Sequence, residues 1–291
     1  MTLACSIGDL GLLKGEYSKN KAEIKSVDSK SKSRLYLCAE NGHLECMKWI
    51  YKQDPSQLKV FATKNKTPFF AAATGGHLDC MKWIYKKDPS QLKIFTTDKT
   101  TPFLSAASRG HLKCIKWIHK KDPKQLSVRN HLKMTSLVSA IYAKSLSCME
   151  FVYQKDRTQI RDSRCHDLTP LLMCCLNDYL DGIKFILSVD ILQLKINDKN
   201  GRSPLSFAAT CSSLECFQMI YFADPSQLTQ KSLGSYPIHR ATKRGNVEIV
   251  SFILEVCPAQ ARQLDDDGLT ALDCAKLYRN LDCYSLLARS I

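Results

Sequence analysis

GHLECMKWIYKQDPSQL occupies residues 42–58, GHLDCMKWIYKKDPSQL residues 76–92 and GHLKCIKWIHKKDPKQL residues 110–126, each copy starting 34 residues after the one before. Near-identity at a fixed step marks a repeat architecture, in which each copy is one supersecondary unit. The step persists after the letters drift. Thr67-Pro68 returns as Thr101-Pro102, Thr135-Ser136, Thr169-Pro170, Ser203-Pro204, Tyr236-Pro237 and Thr270-Ala271, at intervals of 34 residues with a single interval of 33. His43, His77 and His111 share one register, continued by Ser145, Tyr179, Ser213 and Asn246. The same step backwards reaches Asp9, which reads as the second half of a unit whose first half is missing.

Each unit divides at Gly-His-Leu. The stretch after the Thr-Pro turn is rich in alanine (Ala72, Ala73, Ala106, Ala107, Ala208, Ala209), small enough for neighbouring helices to approach closely. Trp49, Trp83, Trp117, Phe151, Phe185, Met219 and Phe252 hold one register of the stretch that follows. The spacing predicts a helix pair per unit, with the large side chains filling the seam between units and the histidines in the turn between helices. A pair this small cannot bury its apolar face alone, so the units stabilise one another by stacking along one dimension. KKDPSQL reads as a stop: lysines suit the negative end of a helix, Pro89 cannot continue it, and Asp88 caps a short new turn with proline first. The signal returns at Asp54, Asp122 and Asp224, and as CPAQ from Cys257.

A Thr-Pro turn, an alanine-rich helix, Gly-His-Leu and a second apolar helix in this order resemble ankyrin repeats, best in KTPFFAAATGGHLDCMKWI (residues 66–84) and DGLTALDCAK (residues 267–276). Where that family reads Thr-Pro-Leu-His, only YPIH at residues 236–239 keeps the histidine. Phe70, Leu104, Val138, Leu172, Ser206 and Asp273 stand there in the other units, which weakens a polar bridge between repeats and adds apolar area. The resemblance implies an all-α solenoid of stacked helix-turn-helix units with short β-hairpin-like loops. Residues 1–291 then form a single domain: a truncated N-terminal repeat and loop at 1–27, full repeats at 28–61, 62–95, 96–129, 130–163, 164–197, 198–230 and 231–264, and a C-terminal capping repeat at 265–291. The register GHLxCxxWI is also similar to animal espin-type arrays, which present a groove to motor tails, although no actin-binding module accompanies it.

The opening MTLACSIGDLGLL carries neither a basic leader nor an apolar run of signal-peptide length, and no stretch of about 18 apolar residues occurs, so a cytoplasmic or nuclear location is expected. Fourteen cysteines without a leader fit a reducing compartment with free, buried thiols. Cys46, Cys80, Cys114, Cys148, Cys216 and Cys283 share a register, but equivalent positions in stacked units lie too far apart for four zinc ligands to converge at about 2.3 Å. Cys174 and Cys175 point apart on a helix and form no CxxC pair, and Cys165-His166 lacks an orienting third group. Gly-rich phosphate loops, HExxH and GxSxG are absent, and DDDG at residues 265–268 lacks the glutamate of a calcium loop. The expectation is no enzyme, no metal, no cofactor and no small-molecule substrate.

The net charge of +14 is uneven: residues 1–155 hold 27 Lys and Arg against 12 Asp and Glu, whereas residues 156–291 hold 15 against 16. Lys48 with Lys52, Lys82 with Lys86 and Lys116 with Lys120 lie at i, i+4 on second helices, and stacking aligns them into a basic ridge. Arrays of the resembling family bind other proteins along a concave surface of hairpin tips and first helices. The positions this carries over are Lys64, Lys66, Asp98, Arg109, His131, Met134, Tyr142, His166, Asn177, Lys199, Arg202, Lys243 and Arg244. Two functions are thereby expected in competition. One is a monomeric protein-interaction scaffold or adaptor that holds a partner protein in the groove. The other is an electrostatic adaptor docking its basic N-terminal half on anionic lipid, nucleic acid or an acidic protein.

Overall fold

The computed structural model describes residues 1–290; Ile291, the last residue of the expected cap, lies outside the described residues. The chain is all-α, and no strand occurs among the described residues; the hairpin-like loops are turns with isolated bridges such as Ala62 to Lys66. Backbone contacts gather into two compact units, Met1–Gln159 and Ile160–Ile291. The first stacks the pairs α1 (Thr2–Ile7) and α2 (Leu10–Lys19), α3 (Arg34–Asn41) and α4 (Leu44–Gln53), α5 (Pro68–Gly75) and α6 (Leu78–Lys87), α7 (Pro102–Ala107) and α8 (Leu112–Lys121), and α9 (Ser136–Tyr142) and α10 (Leu146–Lys155). The segment before Asp9 is thus itself helical. After a single turn, α11 (Gln159–Asp162), the second unit stacks α12 (Pro170–Leu176) and α13 (Leu180–Val189), α14 (Pro204–Cys211) and α15 (Leu214–Ala223), α16 (Pro237–Arg244) and α17 (Val247–Val256), and α18 (Ala271–Leu277) and α19 (Leu281–Ala288).

The Thr-Pro signal starts the first helices for a local reason. The Thr67 and Thr101 hydroxyls accept hydrogen bonds from the Phe70 and Leu104 amides at 3.0 and 3.1 Å, and the following proline lacks the N–H that a helix start leaves unpaired. Asp54 and Asp88 cap the 3-10 turns Pro55–Lys59 and Pro89–Lys93 by accepting from the Ser56 and Ser90 amides, each at 3.1 Å. Between second helices, Tyr17, Tyr51 and Tyr85 meet Trp49, Trp83 and Trp117 edge to face, with ring centroids 5.2, 5.3 and 5.2 Å apart. The tryptophans are half-buried in these seams, and Met47, Met81 and Ile115 fill the space behind them with no exposure.

Two polar ladders tie neighbouring repeats. The Nε2 atoms of His43, His77 and His111 lie 2.9, 3.1 and 3.0 Å from the carbonyls of Ser6, Glu40 and Thr74, so each ring reaches out of its own turn to the end of the previous repeat's first helix. The glutamine of the DPSQL signal makes the second ladder. Gln91 donates from Nε2 to the Leu58 carbonyl at 2.9 Å and accepts on Oε1 from the Phe69 amide at 3.2 Å. Gln125 does the same between Leu92 and Phe103, and Gln159 between Leu126 and Leu137. In the second unit Gln193 links Ile160 to Leu171, and Gln227 links Leu194 to Leu205. All of these glutamines are buried, so a side-chain amide supplies each interface with one donor and one acceptor that water does not reach.

The turn-capping carboxylates make stability depend on acid. Burial works against the charge of Asp54 and Asp156, but hydrogen bonds from Ser56 and Thr158 hold both carboxyls below their ordinary value. Asp224 is likewise opposed by burial, yet the Lys195 ammonium, Ser226 and Gln227 take it down to about 2. In the unfolded chain such groups titrate near ~3.9, so acidification protonates the unfolded state first. The stabilisation is complete above about pH 4 and is lost as the pH falls toward about 2. Thermal melts by circular dichroism should therefore give a Tm that drops steeply below about pH 4, with Asp224→Asn making the drop shallower. A Tm indifferent to pH over that range would contradict the assignment.

Candidate functional site

Successive hairpin tips are joined by backbone hydrogen bonds. The Thr63 amide donates to Lys30, Thr97 to Lys64 and His131 to Asp98, at 3.0, 3.2 and 2.9 Å. These tips and the exposed ends of first helices make one face of the unit Met1–Gln159. On it lies a cleft of about 240 Å³ lined from one repeat by Lys64, Lys66, Phe70 and Thr74 and from the next by Asp98, Ser105, Ser108 and Arg109, among others. Four of the positions carried over from the sequence, Lys64, Lys66, Asp98 and Arg109, thus meet in one place. Lys64 sits at φ +62°, a left-handed turn conformation that directs the backbone sharply at the tip, and its side chain is exposed, as is that of Arg109. Lys66 lies over the Phe70 ring at 5.7 Å. Asp98 is already engaged: burial opposes its charge, but Thr96 and Thr100 donate to it and hold the carboxyl below its ordinary value. The floor carries a hydroxyl pair, Thr74 and Ser105, 2.6 Å apart. Lys64, Lys66 and Arg109 thus stand around a floor of hydroxyls and a carboxylate that is already hydrogen-bonded.

The other carried-over positions are placed as follows. In the same unit His131 and Met134 belong to the next hairpin, the first exposed and the second half-buried, and Tyr142 ends α9 with 39% exposure. In the unit Ile160–Ile291, His166 is exposed in a turn at φ +51°, Lys199 lies 3.9 Å from Asp167 on the adjacent tip, and Arg244 is exposed at the end of α16. Asn177, Arg202 and Lys243 are tied into the fold. Asn177 donates to the Met173 carbonyl at 2.8 Å, Arg202 pairs with the buried Asp198 at 2.6 Å and lies 4.7 Å over Phe207, and Lys243 pairs with the buried Asp265 at 3.2 Å.

The ridge lysines Lys48, Lys52, Lys82, Lys86, Lys116 and Lys120 are all exposed on second helices. Two of them are paired locally, Lys48 with Glu45 at 2.6 Å and Lys82 with Asp79 at 3.3 Å, and Lys116 lies 5.9 Å over the Phe151 ring. Burial pushes Cys80 up to about 12 and Cys114 up to about 11, which keeps both protonated at neutral pH. Among the described residues no group of His, Cys, Asp and Glu is arranged to hold a metal ion, and no helix is long and apolar enough to cross a membrane.

The residues that sequence reasoning passed over are the interface glutamines. Their signal is present in the letters, since Gln57, Gln91, Gln125, Gln159, Gln193, Gln227 and Gln260 return at the repeat period even where the surrounding DPSQL has decayed. A model of the family described as ankyrin repeats (3 copies) matches residues 1–94 and 219–291. No curated protein matches the chain.

Proposed function

The chain belongs to the ankyrin-repeat family, whose repeats are generally protein-interaction modules, and on that premise we propose a non-enzymatic scaffold or adaptor that holds an acidic segment of a partner protein along the hairpin tips and first helices of the unit Met1–Gln159. The observation that carries this reading is the cleft in which Lys64, Lys66 and Arg109, from two successive repeats, surround a hydroxyl-lined floor. Cations spaced by successive repeats, two exposed and Lys66 half-buried, suit an extended carboxylate-bearing chain, and arginine adds bidentate geometry. Asp98 is held by Thr96 and Thr100 and stays ionised, so it sets the shape of the tip and favours a partner segment whose carboxylates lie toward Lys64, Lys66 and Arg109. The reading treats the protein as a monomer in a reducing cytoplasmic or nuclear compartment, where its unpaired thiols persist.

The test compares two matched variants in pull-down from cell lysate, followed by calorimetry against the recovered partner. Lys64→Ala with Lys66→Ala and Arg109→Ala should weaken binding at least about tenfold, since an anchoring arginine contributes on the order of 2 kcal/mol. Replacing Lys82, Lys86, Lys116 and Lys120 with glutamine should leave affinity within about twofold, because exposed rim charges contribute little. Loss confined to the second variant, with a steep salt dependence, would reject the cleft in favour of the electrostatic adaptor acting through the ridge.

A further inference from the structure

A second surface lies at the edge where the 3-10 turns meet the bases of the hairpins. Val27, Phe61 and Phe95 repeat there at steps of 34 residues and are 47%, 37% and 51% exposed, although apolar. Two residues before each stands a lysine, Lys25, Lys59 and Lys93. Beside Phe95 the surface opens into a cavity of about 410 Å³ whose largely apolar walls include Leu92, Phe95 and Val128. Lys93, Lys121 and Lys124 stand at it with a single acidic side chain, Asp122. The Asn65 side chain donates to the Phe95 carbonyl at 3.0 Å, and Lys121 is held 5.3 Å over the Tyr85 ring. The stripe ends at the next repeat, where Arg129 takes the place of phenylalanine.

We infer that this edge is a second docking surface, fitted to an acidic segment of a partner protein that inserts one bulky apolar side chain beside Phe95 while its carboxylates face Lys93 and Lys124. The argument is complementarity of two kinds. The cavity is roomy enough to admit a large side chain with part of its flanking backbone, and its cationic rim selects acidic neighbours for that side chain. A lipid surface fits less well, because a bilayer receives protruding apolar side chains and does not fill a recess. The residues of this edge are distinct from Lys64, Lys66 and Arg109, so the two sites fail independently.

The probe is a set of fluorescent heptapeptides with three glutamates on either side of a central Phe, Leu or Ala, titrated into the full chain by anisotropy. The Phe and Leu peptides should bind at least about fivefold tighter than the Ala peptide, the margin expected from partial burial of a large apolar side chain. Phe95→Asp should abolish that preference, and Lys93→Glu with Lys124→Glu should weaken all three peptides. Phe61→Asp, in the same register but outside the cavity, is the folding-matched control and should keep the preference, as should Lys64→Ala with Lys66→Ala and Arg109→Ala. Equal affinity for the three peptides, or a preference that survives Phe95→Asp, overturns the inference. So does Phe95-dependent binding to phosphatidylcholine vesicles containing phosphatidylserine when the peptides are not discriminated, since the edge would then be a membrane-facing surface.

Discussion

Replacing Gln91 with alanine should lower the unfolding free energy by about 3–5 kcal/mol, because two buried backbone groups lose their partners at about 1–3 kcal/mol each and the truncated amide leaves a void. The side chain has no exposure, and besides a 3.3 Å bond from Nε2 to Asp88 it reaches in opposite senses, to the Leu58 carbonyl of the previous repeat and to the Phe69 amide near the start of α5. The planar amide offers a donor and an acceptor side by side without charge. Gln91→Glu keeps the acceptor for Phe69 but turns an oxygen toward the Leu58 carbonyl, so it should destabilise as much or more, and increasingly so as the pH rises and the carboxyl ionises. Gln57 supplies the control. It holds the same register and is equally buried, but its Oε1 has no hydrogen-bond partner and its Nε2 reaches only Asp54, at 3.4 Å. Urea denaturation followed by circular dichroism should therefore show a clearly smaller shift for Gln57→Ala. Equal shifts for Gln57→Ala and Gln91→Ala would mean that volume, and not the bridge, accounts for the effect.

The contrast between these two glutamines shows where sequence reading stops. The fold is legible because a stacked array presents the same environment to every copy, so selection writes the same letters at one period: the Thr-Pro starts, the alanines and the tryptophan register all find their expected places. The glutamine is written at the same period, but its neighbours Asp88 and Pro89 already explain the segment as a helix stop, and its partner lies 33 residues back. At the hairpin tips and helix ends, residue type and position do not separate a group that the fold engages from one that it leaves exposed. Asp98, Arg202 and Lys243 look like binding groups by type and position, whereas short loops close by satisfying their own backbone and nearby charges first. Thr96 and Thr100 take Asp98, the buried Asp198 takes Arg202 and the buried Asp265 takes Lys243. Lys64 and Arg109, in the same kind of positions, remain exposed and line the cleft. That difference depends on whether the same hairpin, as for Asp98 and Arg202, or the next one, as for Lys243, carries a complementary group, which the repeat period does not encode.

Gly76→Ala should cost about 3 kcal/mol, more than a left-handed backbone alone explains. Gly76 closes α5 at φ +78°, a conformation that costs an L-residue roughly 1–2 kcal/mol. A Cβ there would also stand 2.5 Å from Nδ1 and 2.8 Å from Cγ of His111, so the imidazole has to move as a whole. Moving it breaks the bond between its Nε2 and the Thr74 carbonyl, 3.0 Å long, and leaves that carbonyl without its ring partner at the seam between repeats. Gly110 separates the two contributions. It has nearly the same backbone, φ +76°, but faces Ser145, whose Cβ would lie 3.2 Å from the new methyl and which carries no ring. Gly110→Ala should thus cost less than Gly76→Ala, namely the roughly 1–2 kcal/mol of the left-handed conformation plus a small displacement of Ser145, and His111→Ala introduced with Gly76→Ala should bring the double variant closer to His111→Ala alone than additivity predicts. If Gly76→Ala and Gly110→Ala unfold at the same urea concentration, the histidine ladder contributes nothing that the glycine protects, and the repeats are joined by the glutamines and the apolar seam alone.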